Sequence, residues 1–483
     1  MRLTVLALGA LCLATSATAQ TPEQTAEAAL KATPVWDGHN DLPEQLRSRY
    51  RNMIAGFDFA DTTDTADPEK NIGAMHTDLA RIAQGRLGAQ FWSVYISANL
   101  TEQQAVQATL EQIDVMKRII ARHPDRLELV TTADGAERAM KAGRVASLIG
   151  MEGGHSIGSS LAVLRQMHAL GARYMTLTHS KNTPWADSAT DVPAHGGLTD
   201  FGKDVIREMN RLGMLVDLSH VSEDAMNDTL DLTEVPVMFS HSGARAVNGH
   251  ARNVPDGVLT RLKSNGGIVM VVGYPDFLSE KRRQWGASQA AEKARLESLW
   301  RGNPQAVVAG MEAWRSANPE VLATVSDWAD HIDHVRKVAG VDHIGIGGDY
   351  DGMETGPVGA EDAAGYPALF TELARRGYSR ADLQKIAGGN IERVLRAAEA
   401  YATAHDGLIS LRADENDESL DRLAGELGHD WAPLKARMDS AEVTAVIEAN
   451  HALAQKLEIS GTPTFVVDGT LVRGYVPLDG MRQ

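Results

Sequence analysis

GMLVDLSHVSEDAMNDTLDLTEVPVMFSHS, residues 213–242, holds two short apolar runs, Met214 to Leu218 and Val235 to Phe239, each followed by Ser-His, with a helix-like segment between them. A buried strand, a crossover helix and a second buried strand place both strand ends on one edge of a parallel sheet, so His220 and His241 are expected to emerge side by side. Two imidazoles meeting there suit a metal ion. A single histidine at a strand end is more often a structural hydrogen-bonding residue, and the rest of the chain decides between the two.

Outward from this stretch, apolar runs bounded by Gly or polar residues recur at Pro34 to Gly38, Gln90 to Ile96, Val145 to Gly150, Tyr174 to Thr178, Gly267 to Val272 and His343 to Gly347. With the two quoted runs they make eight strands, most of them separated by amphipathic segments such as Leu161 to Leu170, Asp204 to Leu212 and Trp328 to Ala339. Eight strand-helix repeats predict an α/β fold, a closed (β/α)8 TIM-type barrel, whose chemistry belongs on the loops at the carboxyl ends of the strands. An open doubly wound sheet would want a Gly-rich phosphate turn after the first strand, and the sequence has none there.

His39-Asn40-Asp41 follow the first run, Glu152 and His155 the third, His179 the fourth, His220 the fifth, His241 the sixth, and Asp349 and Asp351 the eighth. Six of eight ends thus carry His or carboxylate, which favours a metal-centred site. Imidazole nitrogens and carboxylate oxygens without thiolate suit zinc, with manganese or cobalt as substitutes, and a carboxylate can bridge two ions. Two divalent ions sharing a water supply hydroxide near neutral pH and polarise a carbonyl, so the expected chemistry is hydrolysis. His39 and Asp41, two residues apart on an extended segment, are expected to reach one ion from the same side.

The formal charge of −17, from 47 basic and 64 acidic residues, argues against nucleic acid or an anionic membrane surface as partner. Met1 to Ala19 carries Arg2, an apolar core from Leu3 to Leu13 and Ala17-Thr18-Ala19, the pattern of a secretory signal cleaved after Ala19 and too short to anchor in a bilayer. The one cysteine, Cys12, lies inside it after Leu11, which does not suit a lipoprotein signal. The expectation is an exported protein without membrane insertion after cleavage, periplasmic in a Gram-negative host and otherwise secreted, whose mature chain has no thiol.

The strings VWDGHNDLP (35–43), GAQFWSVYI (88–96), MEGGHSI (151–157), LTHSKNTPWADS (177–188), FSHS (239–242) with ARNVPD (251–256), and GGDYDG (347–352) together resemble the membrane (renal) dipeptidase family in its bacterial form, from about Thr33 to Ala400. The resemblance implies a metal-dependent hydrolase barrel with two zinc ions that cleaves dipeptides and tolerates a D-residue at their C-terminal position. Carried over by position, it implies His39 and Asp41 as ligands of one zinc, His220 and His241 as ligands of the other, and Glu152 bridging both. It further implies that His179 stabilises the charge developing on the scissile carbonyl, that Arg252 holds the substrate carboxylate and that Asp349 passes the proton to the leaving amine. Asp351 is expected to fix the loop.

Blander roles are expected for the remaining candidates: His155 behind the ligands, Trp185 in packing or on the pocket wall, and His331 with His334 on a solvated helix face. Gln284 to Trp314 reads as a helical insertion, either a lid or a contact in a homodimer. After Ala400 the motifs stop. His405 to Gln483 contains an acidic helix start at Asp414 to Glu418, helical stretches at Leu423 to Met438 and Ser440 to Leu457, and a hairpin of Thr464 to Val467, an Asp468-Gly469 turn and Leu471 to Val476. Gly461-Thr462-Pro463 resembles the cis-proline loop of thioredoxin-fold periplasmic disulfide oxidoreductases, but the Cys-x-x-Cys their chemistry needs is missing. The expected organisation is a signal peptide at 1–19, a dipeptidase barrel at 20–403 and, at 404–483, a small α+β thioredoxin-like partial domain without redox cysteines. Two readings stand beside this one: another metal-dependent amide or lactone hydrolase on the same barrel, and a non-catalytic peptide-binding protein.

Overall fold

The computed structural model of the chain describes residues 20–70, 72–411, 416–456, 459, 464–467 and 470–473. The chain divides after Ala402 into two compact units. In the first, nine strands form one parallel sheet: β1 (Val35–Asn40), β2 (Leu87–Tyr95), β3 (Leu127–Leu129), β4 (Val145–Glu152), β5 (Ala172–Thr176), β6 (Leu215–Asp217), β7 (Met238–Ser242), β8 (Ile268–Val272) and β9 (Ile344–Gly347). Eight of them close into a barrel in the order β1-β2-β4-β5-β6-β7-β8-β9, sealed where Asp37 pairs with Ile346 and Ala89 with Ala146. All eight expected runs are strands, with ends displaced by a few residues. β3 is the addition: it takes the edge of β4 at residues 145–147, and β5 takes the same edge from Ile149 onward.

Alternation along each strand builds two apolar layers. Trp36, Phe91, Leu148, Tyr174, Leu215, Met238 and Met270 join one buried cluster that also takes in Ile391, Val394 and Leu395 of helix Asn390–Ile409. Their neighbours Val35, Trp92, Ile149, Met175, Val216, Val269 and Ile346 join the other, with the surrounding helices. Burial on both faces is why these strands read as apolar runs.

The stretch around residue 213 shows how sequence sets the path. Helix Asp200–Leu212 begins under a Thr199 cap and stops at Gly213, which takes a left-handed conformation (φ 69°) and turns the chain into β6. Helix Glu223–Leu232, capped by Ser222, then crosses over to β7. The insertion after β8 is a pair of helices, Glu280–Leu299 and Pro304–Ala317, whose Trp285 and Trp314 rings meet at 5.8 Å.

The second unit holds helices Asp417–Glu426, Trp431–Met438 and Ala441–Lys456, then strands β10 (Thr464–Val467) and β11 (Thr470–Arg473), antiparallel with Thr464 opposite Arg473. The helical stretch expected from Leu423 to Met438 falls in two helices, Asp417–Glu426 and Trp431–Met438, with Gly428 at φ 77° between them. Met1 to Ala19, Gly461-Thr462-Pro463 and the Asp468-Gly469 turn lie outside the described residues. No described helix is long and apolar enough to cross a membrane.

Candidate metal centre

Five barrel strands deliver the site. His39, near the end of β1, has Nδ1 2.9 Å from the Tyr174 hydroxyl, while its buried Nε2 lacks a hydrogen-bond partner and faces Asp41 (3.4 Å), Glu152 (3.4 Å) and Asp349 (4.0 Å). Tyr174 reaches it from β5 because Gly150 on β4 has no side chain: a Cβ there would lie 2.1 Å from the phenol ring. Asp41 corrects the extended-segment expectation. It leaves the strand geometry (φ −96°, ψ 25°) to start helix Leu42–Tyr50, so it joins His39 by a bend rather than by alternation. Gly352 permits the approach of the loop after β9, since a Cβ there would meet Asp41 Oδ2 at 2.1 Å.

His220 and His241 emerge side by side, their Nε2 atoms 2.9 Å apart, with His220 in a left-handed conformation (φ 69°) beyond β6. Glu152, the last residue of β4, stands between the two pairs. Its Oε2 is 3.4 Å from His39 Nε2, and its Oε1 is 3.0 Å from His220 Nε2 and 3.4 Å from His241 Nε2.

These atoms fit divalent ions. The groups His39, Asp41, Glu152 and Glu152, His220, His241 each place their donor atoms within 4.8 Å of one another and share Glu152; a third group joins His39, His241 and Asp349. Three buried carboxylates, of Asp41, Glu152 and Asp349, converge here, and Arg252 places a fixed cation near them. Burial pushes His220 and His241 well below their ordinary range, toward the neutral form that ligates. Burial also opposes charge on Glu152, yet His39, His220 and His241 hold it well below the usual carboxylate range. The donor set is nitrogen and oxygen without thiolate, a set that zinc accepts.

A supporting network escaped the sequence reading. Asp217 on β6 accepts from the Thr176 hydroxyl (2.5 Å), the Ser240 hydroxyl (2.6 Å) and the amides of Ser219 (3.0 Å) and Ser240 (2.8 Å). With its proton given to Asp217, Ser240 Oγ can only accept from His241 Nδ1 at 2.8 Å, which leaves the Nε2 lone pair aimed at the site. The Ser93 hydroxyl donates to Glu152 Oε2 at 3.1 Å. A charged residue inside an apolar strand was the available signal for Asp217. Ser240→Ala is expected to weaken metal binding about 10- to 100-fold in a chelator competition titration, with turnover at saturating metal reduced far less.

The other expected residues line a cavity of about 710 Å³ over this centre. His179 Nε2 is 3.8 Å from Glu152 Oε1 and its ring packs on Tyr95, with burial pushing the imidazole toward neutrality. Arg252 donates to Ser242 Oγ (3.3 Å) and the His241 carbonyl (3.1 Å) and sits over the Phe277 ring, while its buried Nε has no partner. Burial pushes the Asp349 carboxyl well above the usual range, against the pull of His39. Asp351 is tied to His76 by two backbone hydrogen bonds, its Oδ1 accepting from the His76 amide at 2.7 Å and its own amide donating to His76 Nδ1 at 3.0 Å.

The blander candidates separate. His155 Nε2 donates to the Ser97 carbonyl at 3.2 Å, and Trp185 is buried against Gly154 and Phe201. His331 is not on a solvated face. It is buried, accepting from the Ala244 amide (2.8 Å) and donating to the Leu278 carbonyl (2.9 Å), because it shares the inward helix face with Trp328, Ile332 and Val335. His334 is on the outer side, paired with Asp256 at 2.7 Å.

Two family models match the chain. The family model of the membrane dipeptidases, peptidase family M19, matches residues 23–407, and that of the DSBA-like thioredoxin domain matches residues 388–483. Dipeptidase 3 of Macaca fascicularis is 42% identical over 379 residues, covering 77% of this chain and 67% of that protein. Dipeptidase tcpJ of Claviceps purpurea is 40% identical over 387 residues, covering 78% and 80%. Among solved structures, the probable dipeptidase PvdM from Pseudomonas aeruginosa shares the fold with a TM-score of 0.66 at 23% identity, over 79% of this chain and 99% of that one. On the match over 385 residues and the identity with these relatives, the chain belongs to the membrane dipeptidase family, peptidase family M19, and so to the metal-dependent hydrolases.

Proposed function

We propose that the chain is a zinc dipeptidase that holds two ions and cleaves the peptide bond of L-Xaa-L-Xaa and L-Xaa-D-Xaa dipeptides outside the cytoplasm, after removal of residues 1–19. The observation that carries this reading is the position of Glu152, whose two oxygens face different imidazole sets. Zinc ions held by His39 and Asp41, by His220 and His241, and by Glu152 between them would acidify a water and polarise the scissile carbonyl.

The chain's own groups supply the rest. His179, kept neutral, donates a hydrogen bond to the carbonyl oxygen as negative charge develops on it. Asp349, whose buried carboxyl is disposed to carry a proton, collects it from the attacking water and delivers it to the leaving amine. Arg252 has donors to spare for the substrate's terminal carboxylate in a two-pronged contact. The barrel at 20–403 does this work, and the segment 404–483, whose sequence has no cysteine, carries out no thiol-disulfide exchange.

The reading is tested by metal analysis of the purified protein and by turnover of a panel of L,L and L,D dipeptides before and after chelation and zinc return. Two zinc ions per chain and activity restored by zinc are expected. Hydrolysis of acyl-lactones but of no dipeptide would shift the reading to a different substrate, and a protein without bound metal would shift it to peptide binding. Arg252→Lys is expected to raise KM about 10- to 100-fold for free dipeptides and to change it little for their C-terminal amides, since a point charge replaces a planar fork. Equal damage to both substrates would remove Arg252 from the carboxylate role.

A further inference from the structure

The wall of the same cavity carries a carboxylate that the reaction above does not use. Glu44 lines it beside Asp41, Gln45 and Tyr95. As the third residue of helix Leu42–Tyr50, Glu44 stands where an acid ordinarily caps its own helix by accepting the amide at the helix start. Here that amide, of Asp41, donates to the Tyr350 carbonyl instead (3.0 Å), and Glu44 Oε2 accepts from Gln112 Nε2 at 3.3 Å. Arg47, the nearest base in the chain, is committed to Glu111 at 2.9 Å. Among the described residues no cation lies within ion-pair distance of Glu44. A half-buried carboxylate with one neutral donor keeps acceptor capacity facing the cavity, and a cation arriving there offsets the cost of its burial.

We propose that Glu44 is a specificity residue that accepts a primary ammonium carried by the N-terminal residue of the substrate, an assignment that rests on the dipeptidase reading. Glu44 lies one helical turn from Asp41, so it borders the side of the centre where Asp41 stands. Arg252 takes the carboxylate of the C-terminal residue, which leaves the N-terminal residue for this wall. That residue offers an ammonium in two places, on its α-carbon and, for a lysine-like residue, at the tip of its side chain. Both present the same donor to Glu44.

Three compounds separate them: lysyl-alanine, norleucyl-alanine, which keeps the α-ammonium but has no side-chain ammonium, and hexanoyl-alanine, which lacks both ammonium groups. Metal-loaded wild type and Glu44→Gln are compared by kcat and KM for the two dipeptides and by the inhibition constant of hexanoyl-alanine. If Glu44 accepts the α-ammonium, KM for both dipeptides rises about tenfold in the variant with kcat nearly unchanged and hexanoyl-alanine unaffected. If it accepts the side chain, only lysyl-alanine suffers. Constants unchanged for all three compounds overturn the proposal, as does an equal loss for all three. Failure of the wild type to cleave either dipeptide is a different result: it defeats the dipeptidase reading, and the role of Glu44 falls with it.

Discussion

Glu152→Gln is expected to lower kcat/KM by about 10⁴-fold or more and to leave fewer than two ions bound per chain. The substitution is nearly isosteric, so the core around β4 stays filled. What changes is the chemistry of the two oxygens. One becomes an NH2 group, which has no lone pair to offer a cation, and it would face either His39 or the His220 and His241 pair. One negative charge also disappears from the buried cluster proposed to hold the two cations. Elemental analysis beside steady-state kinetics checks both outcomes, and circular dichroism confirms folding. An active variant with two ions would show that Glu152 is not a bridge.

Asp349→Asn is expected to lower kcat by about 10³-fold while leaving metal content intact. Asp349 stands with His39 and His241 in one possible ligand group, yet its Oδ1 is 4.0 Å from His39 Nε2, farther than Asp41 or Glu152. An amide of the same shape can sit beside the substrate but cannot collect and return a proton. Loss of kcat with both ions retained assigns Asp349 to proton transfer. Loss of an ion along with activity would make it a ligand instead.

Much of this arrangement is legible in the sequence, for reasons that particular residues show. Strands buried on both faces are apolar runs, and the change to His or carboxylate at their ends marks the mouth of the barrel. β3 escapes because three residues, Leu127 to Leu129, are too short for a pattern and only Leu127 is buried. β7 runs on to Ser242 because its ladder pairs the polar Ser242 with Val271 of β8, which an apolar pattern cannot register. The inner supports were hidden for a different reason. Tyr174 and His39 are 135 residues apart, and nothing local to either announces their contact. His331 was misplaced because the spacing of the two histidines was weighed without the apolar residues that share the inward face.

The backbone at the barrel mouth has its own consequence. His220, Asp349 and Asp351 all adopt positive φ (69°, 61° and 67°), a region that costs a non-glycine residue on the order of 1–2 kcal/mol. Asp and His enter it more readily than bulkier residues, but glycine enters it without penalty. At His220 and Asp349, glycine would relieve this strain only by removing a side chain of the candidate ligand groups, so durability and turnover pull these two positions in opposite directions.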